Sequence, residues 1–144
     1  MDKLGLLRQV FAHDRFVGLA GIKIESVDGE KAVVSAEIDG NHLNASGDIQ
    51  GGMLYTLADF AFAVISNYLH PVTVTQCGHI TYIVPGRTKR VTAEATETVR
   101  AGHNTICKVL VRDEWDKIIC VCEFNGFVKD ITFEELAAKH GIKG

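Results

Sequence analysis

Proline is scarce in this chain, with two residues in 144, and tryptophan occurs only once. Proline-rich linkers are therefore excluded, and no low-complexity stretch or internal repeat divides the sequence. An excess of positive charge is also missing. Fifteen Lys and Arg stand against eighteen Asp and Glu, for a net charge of -3, without the basic stripe of a DNA- or RNA-binding domain. No uncharged apolar run reaches the ~18 residues of a membrane helix, and the nearest candidate, 51–69, carries Asp59 in its middle. The N-terminal MDKLGLLRQVFAHDRF is interrupted by charges and lacks the apolar core and cleavage site of a signal peptide. The four cysteines, 77, 107, 120 and 122, have no C-x-x-C spacing. Cys120 and Cys122 would share one strand face ~6.5–7 Å apart, at the edge of disulfide geometry. No disulfide framework and no metal site is expected, and a cytoplasmic location fits.

These absences leave one domain, 1–144, long enough to bury a substantial core. Its 47% hydrophobic and 23% charged composition is ordinary for a globular chain. Residues 3–19 read as helical with a break near Asp14. Residues 21–27 and 30–38 read as strands joined at Asp28-Gly29, a strong hairpin signal. The segment 40–50, GNHLNASGDIQ, reads as loop. From Gly51 to His70 the chain is apolar nearly all the way round and free of proline, which predicts a helix buried on most sides, ended by Pro71. Four strands are expected at 72–84, 89–100, 104–113 and 117–128, their short links implying antiparallel hairpins. A short helix capped by Thr132 closes the chain. The class is α+β, an antiparallel sheet curled over one central helix, with sheet edges that oligomerisation would cover.

Asp59 is the most informative residue, because it is the one charge between Gly51 and Leu69. A buried carboxylate must be paired, protonated or reached by a cleft. A solvated edge or a distant Lys or Arg partner accounts for it as well as a nucleophile or general base does. Gly51-Gly52 opens the same helix, where outward N–H groups and the dipole favour developing negative charge. Glycines there admit a ligand carbonyl, as an oxyanion hole requires, although plain capping also uses glycine. Gly51 and Asp59 lie ~12 Å apart along the helix axis. That is far for one pocket, and a two-fold dimer would bring one helix start to the neighbour's Asp59.

His42-Leu43-Asn44-Ala45-Ser46-Gly47-Asp48-Ile49-Gln50-Gly51-Gly52, followed by Leu57-Ala58-Asp59, resembles the H-x-N-x-x-G-x-x-H-G-G…L-A-D pattern of hotdog-fold thioesterases of the phenylacetate-pathway (PaaI-like) group. The element order is similar to theirs: a curved antiparallel sheet wrapped around a long central helix. The resemblance implies an acyl-CoA thioesterase acting on an acyl- or aryl-CoA, with coenzyme A as part of the substrate and no other cofactor. Asn44 would orient substrate or water, and the Gly51 amide would polarise the thioester carbonyl. Asp59 would attack the thioester or activate water, and Thr75 would position that water. Gln50 stands where the pattern has histidine, and can donate a hydrogen bond but not carry a proton. Arg87, Lys89, Arg90, Arg100 and His103 sit around two of the β-turns and could meet the coenzyme A phosphates, although surface strand ends are also basic for solubility. Arg100, His103 and Asn104 are the ones expected near the nucleotide. The resemblance also implies a homo-oligomer, at least a dimer and commonly a dimer of dimers. His42 reads as a loop anchor, and His79 is expected to share a strand face with Thr75 and Cys77. Tyr55, Phe60 and Phe62 read as core and interface. The rival readings are a non-catalytic acyl-CoA-binding protein and a hotdog hydratase or dehydratase, the latter disfavoured by Gln50.

Overall fold

The computed structural model describes residues 1–144. Two aspartates shape the N-terminus by capping. Asp2 accepts the Gly5 N–H at 2.8 Å and Asp14 accepts the Val17 N–H at 3.0 Å. The expected helix is therefore two, α1 (Lys3–Phe11) and α2 (Arg15–Leu19), broken at Asp14. Next come β1 (Ile22–Val27) and β2 (Lys31–Glu37), with Asp28 bonding the Glu30 and Lys31 amides across their turn. After the 38–50 loop stands α3 (Gly51–Leu69), and then β3 (Thr73–Tyr82), β4 (Arg90–Ala101), β5 (Asn104–Arg112), β6 (Ile118–Val128) and α4 (Phe133–Lys139).

Eleven of the nineteen α3 residues are buried, as its continuous apolar surface requires. Leu57, Val64 and Ile65 lie against inward residues of the sheet such as Val34, Val91, Val109 and Phe124, all fully enclosed. Ala32, Ala36, Ala93 and Ala95 keep the floor of β2 and β4 shallow, so the helix can approach. Each fully buried aliphatic side chain contributes about 1.5–3 kcal/mol. A smaller cluster, Leu6, Leu7, Val10, Phe133 and Ala137, fastens α4 to α1. The result is a curved six-stranded antiparallel sheet around one long helix, the hotdog arrangement. No helix is long and apolar enough to cross a membrane.

Strand order corrects one expectation. The sheet runs β1-β2-β4-β5-β6-β3, so β3 and β4 do not form a hairpin. β4 is paired on both sides, by β2 and by β5, and β3 instead lies along β6 from Thr73↔Val128 to Tyr82↔Cys120. The Pro85-Gly86 segment is thus a crossover over the end of the sheet. It is held by the Ile49 N–H on the Gly86 carbonyl at 2.9 Å, and a Cβ on Gly86 would meet Ile49 at 3.0 Å.

A bulge corrects a second. Thr75 faces Gly126 and Cys77 faces Asn125, which leaves Gln76 extra and reverses the alternation. Thr75 points toward α3, and beyond the bulge Gly78, Ile80 and Tyr82 do. Cys77 and His79 therefore occupy the opposite face and do not share one with Thr75. All four cysteines are free thiols. Burial pushes Cys107 and Cys122 up to about 12 and Cys120 up to about 11, so these three pack rather than react.

Candidate active site

Asp59 sits half-buried midway along α3, and its one hydrogen bond comes from the Thr75 hydroxyl at 2.7 Å. No Lys, Arg or His pairs with it. Burial raises its pKa above the ordinary aspartate value, the Thr75 hydrogen bond opposes that rise, and the nearby Asp14 charge adds to it. Of the bland explanations for this carboxylate, a basic partner from elsewhere in the same chain is eliminated. Such a group accepts a proton more readily than a solvated aspartate.

The start of α3 is built around its own cap. Gln50, in extended conformation at φ -62° and ψ 134°, turns its side-chain oxygen onto the Gly52 and Met53 amides. The expected substrate donor is thus also a helix cap, and only its NH2 group is left without a partner. The Gly51 N–H, the first amide of the helix, makes no hydrogen bond. Tyr82 donates its hydroxyl to the Gly51 carbonyl at 2.8 Å, and a Cβ on Gly51 would lie 3.0 Å from that hydroxyl. Tyr82 belongs to the site although sequence reasoning did not single it out. Its neighbourhood with Gly51 spans 31 positions and follows from the β3 bulge.

Asn44 organises the loop ahead of the helix. Its side-chain oxygen accepts from the Ser46 and Asp48 amides at 2.9 and 3.1 Å, leaving its NH2 free. Asn44, Gly51 and Tyr82 line one cleft of about 350 Å³. Gln50 and Gly52 line the adjoining cleft of about 900 Å³, whose apolar walls come from Phe16 and Leu19 of α2 with Leu43 and Met53. Tyr55 lines that cleft too, while Phe60 and Phe62 are core. His42 anchors the loop as expected: Nδ1 accepts the Asp39 N–H at 3.0 Å, so Nε2–H donates to the Ala20 carbonyl at 2.7 Å.

Asp59 and Thr75 line neither cleft. The fold brings Asn44, Gly51 and Gln50 together in one place and Asp59 with Thr75 in another. Arg100, His103 and Asn104 form a third group in the β4–β5 turn, at the far end of α3. There Arg100 donates to the Gly102 carbonyl and to Nδ1 of His70, the residue that ends the helix. His103 bonds the Val128 carbonyl at 2.7 Å and stacks on Phe127.

Comparison with known proteins gives this geometry a family. No family model matches the chain. A Thermus thermophilus structure, a mutant of the phenylacetic acid degradation protein PaaI, is 32% identical. The match covers 81% of this chain and all of that one, with a TM-score of 0.76. The Escherichia coli PaaI protein of the phenylacetic acid degradation operon is 23% identical over 90% of this chain and 94% of its own, with a TM-score of 0.84. A Streptococcus pneumoniae structure, a hypothetical thioesterase with coenzyme A, is 21% identical over 83% of this chain and 96% of that one, at TM-score 0.75. A curated Archaeoglobus fulgidus protein with a provisional esterase name is 28% identical over 116 residues, 79% of this chain and 75% of that protein. The chain belongs to the hotdog thioesterase superfamily, in its PaaI-like group.

Proposed function

We propose that this protein hydrolyses acyl- or aryl-CoA thioesters to the free acid and coenzyme A. The observation that carries the proposal is Asp59, a carboxylate inside the central helix whose one partner is a hydroxyl and whose proton affinity is raised by burial. The unpartnered Gly51 amide at the head of the same helix supports it, as does the coenzyme A held by the pneumococcal structure of this fold.

In this reading the thioester carbonyl accepts the Gly51 N–H, which opposes the negative charge that gathers on that oxygen. The free NH2 groups of Asn44 and Gln50 lie beside it, and the apolar cleft of about 900 Å³ takes the acyl group. A cleft of that size is usual for a small-molecule site. Asp59 either attacks the carbonyl carbon, expelling the thiolate and leaving an anhydride for water to cleave, or takes a proton from the attacking water. Thr75 holds the carboxylate in either case.

The ~12 Å rise between Gly51 and Asp59 calls for two chains. β3 is an edge strand of ten residues with most of its side chains exposed, and such an edge invites pairing with a second copy. An isologous dimer across it would set each Gly51 toward the partner copy's Asp59.

Thiol release measured across short, medium and aryl acyl-CoAs tests the proposal. Turnover of at least one class is expected, with kcat falling by about 10²–10⁴ in Asp59→Asn. Binding without thiol release on every substrate would make the protein an acyl-CoA binder instead.

A further inference from the structure

Trp115, the one tryptophan of the chain, is 70% exposed, and nothing in the proposed chemistry uses it. It stands on the β5–β6 turn, which is firmly built. Asp113 accepts the Trp115 and Lys117 amides, both at 2.9 Å. Glu114 accepts the Thr88 hydroxyl and the Lys89 amide at 2.7 and 2.6 Å, and returns its own N–H to Thr88 at 3.0 Å. The turn is thereby clasped to the β3–β4 crossover. Asp113 and Glu114 are engaged by these bonds, and the exposed Asp116 lies 3.6 Å from Arg112 Nε.

Between the turn and the crossover lies a cleft of about 430 Å³ lined by Val84, Pro85, Arg87, Asp113, Trp115 and Lys117. Arg87 gives Nε to Asp48 at 2.6 Å and keeps both terminal amino groups free. Lys117 and Lys89 make no ion pair. Val84 and Pro85 also line the cleft that holds Asn44 and Gly51, so the two clefts adjoin. An exposed indole on a firmly held turn, beside the free terminal amino groups of Arg87 and the unpaired Lys117, suits an aromatic base carrying phosphates: the ring face stacks the base and the cations bind the anion.

We infer that Trp115, Arg87 and Lys117 hold the adenosine-phosphate end of the acyl-CoA whose thioester lies at Gly51 of the same chain. The inference rests on the thioesterase reading for its substrate, and it differs from the expected Arg100, His103 and Asn104 contacts, which lie at the other end of α3.

Adenosine 3′,5′-bisphosphate, the nucleotide end of coenzyme A without a thioester, is the probe. As the sole tryptophan, Trp115 reports its own stacking by fluorescence. Titration should quench its emission saturably, and coenzyme A should compete. Arg87→Ala and Lys117→Ala keep the reporter and should each weaken the bisphosphate severalfold. Trp115→Ala should raise the KM for acyl-CoA about tenfold and shrink the preference for acyl-CoA over the corresponding acyl-pantetheine. Emission that stays constant while the bisphosphate competitively inhibits turnover would overturn the inference, as would binding lost in Arg100→Ala but retained in Arg87→Ala and Lys117→Ala. If no thioester is cleaved, the thioesterase reading fails, and the fluorescence titration still decides the nucleotide site.

Discussion

At the scale of single residues, the site depends on what Asp59 lacks. A carboxylate paired with Arg or Lys would be held low and make a poor base; Asp59 has only the Thr75 hydroxyl, while burial and Asp14 act to raise it. The Thr75 hydrogen bond favours the ionised form, so removing it must raise the Asp59 pKa further. The proposed chemistry needs the carboxylate, so activity should be lost as pH falls through that pKa. The acid limb of kcat/KM should therefore lie above the ordinary aspartate range. In Thr75→Val it should move to still higher pH, with kcat reduced even on the plateau. A limb that stays in place or moves to lower pH would detach Thr75 from the chemistry. Asp59 could be found from its isolation in an apolar run. Its partner Thr75 came only through the resemblance, since nothing in the alternation of β3 shows that it faces α3.

At the scale of elements, β3 decides the geometry. Glycine is required at position 78, where a Cβ would run into the Tyr55 hydroxyl and lie 2.7 Å from the Phe124 ring. Gly78→Ala should destabilise the fold by about 1–3 kcal/mol, the usual cost of overpacking, read as a lower midpoint in urea unfolding. Adding Tyr55→Phe should recover part of the loss, and an unchanged midpoint in the single variant would refute the close packing of β3 on α3. Most elements were legible in the residues. Asp14 marked the helix break, Asp28-Gly29 the hairpin, the proline-free apolar run the central helix, and Thr132 the N-cap of α4. The partner of β3 was not legible. Proximity along the chain favours β4, and only the pairing of β4 with both β2 and β5 rules that out. The Gln76 bulge was hidden for a similar reason: Thr-Val-Thr-Gln-Cys-Gly-His-Ile has no clear alternation, so nothing in it announces the change of face.

For the molecule as a whole, the central claim is that one copy's Gly51 and another copy's Asp59 make one catalytic site. Gly51→Pro probes the first, read against Tyr82→Phe because the new ring crowds the Tyr82 hydroxyl. Proline suits the opening position of a helix, Gln50 already has the extended conformation that a following proline requires, and the substitution deletes the N–H while Tyr82 yields slightly to the ring. It should lower kcat by about 10²–10³, as the loss of one oxyanion donor does. Asp59→Asn deletes the second. The most direct measurement is thiol release from acyl-CoA after the two variants are unfolded together in equal amounts and refolded. In a two-fold dimer, half of the pairs would be mixed, and each mixed pair would hold one intact site. Activity should return to about a quarter of the wild-type level, from two preparations that are each nearly inactive. A mixture no more active than its components, with mixed pairs shown to have formed, would contradict the account.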